Sequence, residues 1–166
     1  MLVPLVVCRI AGMRPTELGL SIRGARREII LVLAMWAAFL PVVWLMSRTG
    51  SFQRMYPRLP QAEQDVGLFL AYEGFYFVKW VAWEFFFRGF MLFGFKRDLG
   101  SRAVLVSTIP FVLMHFGKPE AEVFASLAAG FILCWIALRS KSIWPGVILH
   151  WLVATSMDFF ASTWWR

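Results

Sequence analysis

Four side chains able to move protons or hold charge stand inside otherwise apolar stretches: Glu84, Arg88, His115 and His150. Glu84 and Arg88 are four residues apart, which on a helix puts one above the other on the same face. A carboxylate with an imidazole can polarise a water molecule, and a second imidazole can donate a hydrogen bond to a developing oxyanion. Such a set can hydrolyse a peptide bond without an acyl-enzyme, and no Gly-x-Ser-x-Gly elbow or Ser-Lys arrangement competes for that role. Plainer readings exist for each member. A Glu-Arg pair can serve only to let its helix enter lipid, and a lone intramembrane His more often bonds a neighbouring helix. Even so, a charge at mid-bilayer costs about 2.5–3.5 kcal/mol on insertion scales, so each needs a reason to be there.

The segments that position these residues are long and hydrophobic. Of 166 residues, 60% are hydrophobic and 17% aromatic, against about 45–50% apolar in an ordinary soluble domain. A small domain cannot hide that excess in one core, which makes lipid the natural solvent for the remainder. Apolar runs at 29–46, 66–95, 103–116, 121–138 and 143–165 have helical length and no alternating pattern. They predict an all-α polytopic membrane bundle of about five spans over residues 28–166. Residues 1–27 carry five arginines with Gly and Pro breaks and read as a basic lead-in, cytoplasmic or interfacial. Trp164 and Trp165 read as an interfacial belt.

The net charge of +7 is placed mostly at the ends of the apolar runs. No face interleaves basic and aromatic residues, so the lipid bilayer is an expected partner and nucleic acid is not. With the N-terminus inside, ten basic residues fall on the cytoplasmic side and five on the other, which favours that orientation. Cys8 and Cys134 lack CxxC spacing and have no His neighbour, so neither a disulfide nor a metal framework is expected.

The basic boundaries also serve as a depth ruler. Glu84 lies 12 residues before Lys96, His115 lies 13 after Arg102, and His150 lies 9 after Lys141. At 1.5 Å per residue these are depths of about 18, 20 and 14 Å from one plane, so three helices bring a carboxylate and two imidazoles to a common level. Asp158, two turns beyond His150, either orients it, lines the same cavity or marks the outer boundary. Glu73 is about 16 Å along the helix from Glu84 and stands outside the group. Glu120 and Glu122 fall in the loop after His115, where a solvated or helix-capping role is the default.

Three stretches resemble motifs of the CPBP (CAAX protease and bacteriocin-processing, or Abi) family of intramembrane glutamic endopeptidases. Trp83-Glu84-Phe85-Phe86-Phe87-Arg88-Gly89 is similar to that family's Glu-Glu-x-x-x-Arg-Gly, and Phe111-Val112-Leu113-Met114-His115 to its Phe-x-x-x-His. Ser142-Ile143-Trp144-Pro145-Gly146 then leads to His150. The resemblance implies cleavage near the C-terminus of a membrane-associated peptide or protein, in an integral protein of the bacterial inner membrane. It implies that Glu84 and His115 activate the water, that His150 stabilises the oxyanion and that Arg88 braces the carboxylate. Asp158, Phe111 and Trp83 would support the site or line the substrate. The chain departs from the pattern at Trp83, where the family has its first Glu, and at Ala154, where it has an Asn. A non-catalytic membrane binding or immunity protein of the same family is the alternative. A Glu with two His is also a feasible zinc set, but the resemblance implies a site without metal or other cofactor.

Overall fold

The computed structural model describes residues 2–63 and 65–162. The expected belt at Trp164 and Trp165 lies outside the described residues. Every regular element among them is helical: α1 (Leu2–Ile10), α2 (Arg23–Ser47), α3 (Gly50–Gln53), α4 (Val66–Glu84), α5 (Gly94–Leu99), α6 (Ala103–Leu113), α7 (Glu120–Ser140) and α8 (Trp144–Ala161). The all-α expectation holds. α2 and α7 are long and apolar enough to cross a membrane. Large apolar side chains such as Ile30, Leu45, Leu70, Phe75, Phe124 and Leu127 point outward, as an exterior facing lipid requires.

The expected second span is a composite rod. Asp65 caps α4 by accepting the Leu68 N–H at 3.0 Å, and α4 runs into a π-helical stretch, Phe85–Phe93, before α5. A π-helix is rare, and where it occurs it often marks a functional site. Gly100, with φ of 55°, stops the rod. The third span is much shorter than its sequence suggested. α6 has 11 residues, about 16 Å against a hydrocarbon core of about 30 Å. Its end is a turn through His115 to Gly117, whose φ of 87° suits glycine. Pro119 then precedes α7, whose first turn carries Glu120 and Glu122.

α2 lies along α8, pinned by the Trp36 indole donating to Ser156 Oγ at 3.0 Å. α6 packs on α7 at Gly130, where an added Cβ would stand 2.6 Å from Thr108. The lead-in folds back onto the bundle. Ser142 Oγ donates to Ser21 O, Trp144 Nε1 to Leu20 O and Ile143 N to Gly19 O, so the α7–α8 turn is clamped. Cys8 and Leu18 share a buried cluster with Trp80, Phe85, Ile143 and Val147.

Candidate active site

The last residue of α4 places one carboxylate between Arg88 of the π-helical stretch and α8. Glu84 Oε1 accepts from Arg88 Nη1 at 3.1 Å and from His150 Nδ1 at 2.8 Å. Glu84 and Arg88 are completely buried. Arg88 is further held by the Gly130 carbonyl at 3.5 Å from Nη2 and by the Phe111 ring, 4.3 Å from Cζ to its centroid. Burying two charges is costly, and mutual pairing with further hydrogen bonds is what offsets it. The approach depends on Gly146 in the first turn of α8, because an added Cβ would sit 2.8 Å from Glu84 Oε2. Among the described residues, that oxygen has no donor and Arg88 Nε no acceptor.

His150 stands between this pair and a cavity of about 240 Å³. The Trp80 indole stacks on its ring, with centroids 4.0 Å apart and planes inclined by 30°. Because Nδ1 is engaged by a carboxylate, Nε2 is the nitrogen left for a ligand. His115 lines the same cavity. Its Nδ1 lies 2.7 Å from the Phe111 carbonyl; a carbonyl can only accept, so Nδ1 carries the proton and Nε2 keeps its lone pair. The two imidazoles therefore present their far nitrogens, while Glu84 and Arg88 are not at the cavity wall.

The remaining expected residues fall as follows. Phe111 lines the cavity and its ring lies 4.7 Å from that of His115. The Trp83 ring is 6.4 Å from both Phe111 and His115, and its buried Nε1 has no acceptor among the described residues. Asp158 lines the cavity but does not bond His150. It belongs to a second polar group, which the spacing of residues did not reveal. Asp158 Oδ1 accepts the Arg58 backbone N–H at 2.6 Å, and Glu73 Oε2 accepts from Thr155 Oγ1 at 2.6 Å. The remaining oxygens, Glu73 Oε1 and Asp158 Oδ2, are buried and have no hydrogen-bond partner among the described residues.

Above that pair, the chain between α2 and α4 closes one end of the cavity through Phe52, Tyr56 and Arg58. Tyr56 Oη donates to Glu122 at 2.9 Å, and Glu122 is ion-paired with Lys118. Burial and the neighbouring Glu122 carboxylate push the Tyr56 phenol well above its usual range, which keeps it a donor. Glu122, expected in a solvated or helix-capping role, stands in the first turn of α7 and is also a latch for this strap. Glu73 was already conspicuous as a carboxyl group inside an apolar run, and Asp158 as a candidate to line the cavity. That the two, 85 residues apart, belong to one group had no sequence signal.

Among the described residues, no three His, Cys, Asp or Glu side chains converge as metal ligands. A family model described as type II CAAX prenyl endopeptidase Rce1-like matches residues 66–156. That span includes Glu84, Arg88, His115 and His150 and ends two residues before Asp158. No individual relative and no solved structure matches the chain.

Proposed function

The chain belongs to the Rce1-like family of type II CAAX prenyl endopeptidases, and from that footing we propose that it is an intramembrane endopeptidase cleaving a membrane-associated peptide or protein. The observation that carries the proposal is the pair of imidazoles facing one cavity, one of them backed by a buried Glu84–Arg88 pair. His115 Nε2 takes a proton from water as its oxygen attacks the scissile carbonyl carbon. His150, with Nδ1 engaged by Glu84, turns Nε2 to the carbonyl oxygen and, when protonated, donates to it as charge accumulates there. His115 then returns its proton to the amide nitrogen as the C–N bond breaks, leaving a carboxylic acid and an amine. Glu84 acts through His150, and Arg88 holds Glu84. The mechanism proposed runs without metal or cofactor.

The family's description points to substrates with a prenylated cysteine near the C-terminus, the C-a-a-X arrangement. We place the protein in a bacterial inner membrane with its N-terminus cytoplasmic, as the ten-to-five bias of basic residues supports. Substituting Glu84→Gln, His115→Ala and His150→Ala singly in the reconstituted chain tests the chemistry. A quenched fluorescent peptide bearing an S-farnesyl cysteine and three further apolar residues is the probe. Loss of a working acid or base should slow cleavage about 10²- to 10⁴-fold; undiminished cleavage in all three variants would end the proposal.

A second reading is favoured by Trp83 and Ala154, apolar where the family pattern carries Glu and Asn. In it the chain is a non-catalytic membrane binding or immunity protein. The parent would then cut nothing, and the same substitutions would disturb folding or partner capture instead.

A further inference from the structure

The cavity is not uniform in charge, because Arg58 and Lys118 are cations in its wall. Lys118 is neutralised by Glu122, whereas Arg58 has no carboxylate within ion-pair distance among the described residues. Arg58 is nonetheless firmly placed. Its backbone N–H is tied to the buried Asp158 carboxyl group at 2.6 Å. Its guanidinium lies 5.0 Å from the Tyr56 ring centroid, and Tyr56 is fixed by Glu122. An exposed guanidinium that stands beside the Tyr56 phenol and has no carboxylate in ion-pair contact among the described residues, on a braced backbone, is pre-organised to grip a planar anion with two parallel hydrogen bonds.

The position gives a length. Asp158 follows His150 by eight residues on α8, about 12 Å along the axis. An extended peptide advances about 3.3 Å per residue, so three to four residues fit between the level of His150 and that of the Arg58 backbone. We propose that Arg58 is a specificity-determining residue that binds the free α-carboxylate of the substrate's C-terminus and so sets where the chain is cut. The inference rests on the hydrolase reading above, and it assigns the end of the substrate rather than the chemistry of cleavage.

The test separates the two. Two dye-labelled peptides, each with an S-farnesyl cysteine followed by three apolar residues, differ only in ending as a free carboxylate or a carboxamide. Binding to the full chain in detergent micelles is measured by fluorescence anisotropy, alongside cleavage. The parent should bind the acid about tenfold more tightly than the amide, as a charge-assisted bidentate contact implies. Arg58→Gln should remove that preference and leave amide binding unchanged, and Arg58→Lys should retain part of it. Preference for the acid that vanishes in Arg58→Gln, with no cleavage by the parent, would uphold the anchor and defeat the protease reading. Equal binding of both peptides by the parent, or an equal loss for both in Arg58→Gln, would overturn the anchor even if cleavage persists.

Discussion

The two ends of the cavity handle buried carboxyl groups in opposite ways. At one end Glu84 is compensated by a guanidinium one helical turn away and by an imidazole. At the other, Glu73 and Asp158 have no ion-pair partner among the described residues; Thr155 and a backbone N–H satisfy one oxygen of each, and the other two oxygens are buried without a partner. The first arrangement sets a compensated carboxyl group behind the His150 ring that faces the cavity. The second uses its carboxyls to fasten α4 to α8 and α8 to the strap. One suits chemistry; the other suits holding a wall in place.

The contrast can be broken most sharply at Arg88. Arg88→Met strands the Glu84 charge and should cost about 3–5 kcal/mol of stability, as loss of one partner of a buried pair does. The double variant Glu84→Gln/Arg88→Met should recover much of that in a denaturant unfolding assay, without recovering cleavage. A single variant as stable as the parent would show the pair to be incidental.

At the opposite end, Asp158→Ala leaves the Arg58 backbone N–H without its acceptor and should cost about 1–3 kcal/mol. Asp158→Asn can still accept from the Arg58 N–H, so it should unfold close to the parent. If Asn is as damaging as Ala, the hydrogen bond to the strap is not what residue 158 contributes. Gly146→Ala drives a Cβ against Glu84 Oε2 and should cost about 1–3 kcal/mol as overpacking, with cleavage falling further than stability alone explains. Tyr56→Phe removes one latch on the strap and should cost about 1 kcal/mol. Its clearer readout is faster thiol labelling of an Ala125→Cys reporter in the cavity wall; unchanged labelling would mean that the strap does not govern access.

Much of the first end was legible in advance because its signals are local. Glu84 and Arg88 announce themselves by i,i+4 spacing, and charges in apolar runs are costly enough to be conspicuous. The depth ruler placed Glu84 level with His150, and the two meet at 2.8 Å. What it could not supply was order along that level: His150 lines the cavity and Glu84 does not, because α8 packs on the end of α4 with Gly146 against the Glu84 carboxyl group. The short α6 was also hidden, because apolar composition continues to Phe116 while the helix stops at Leu113.

By itself, the sequence determined the solvent, the helical class and the identity of the residues worth watching, because hydropathy and charge cost are properties of each residue in its own segment. Only the tertiary structure decided which carboxyl group faces which partner. Glu73 with Asp158, Tyr56 with Glu122 and Arg58 with the cavity are contacts between elements 66 to 100 residues apart, and no periodicity along a chain encodes the packing that brings them together.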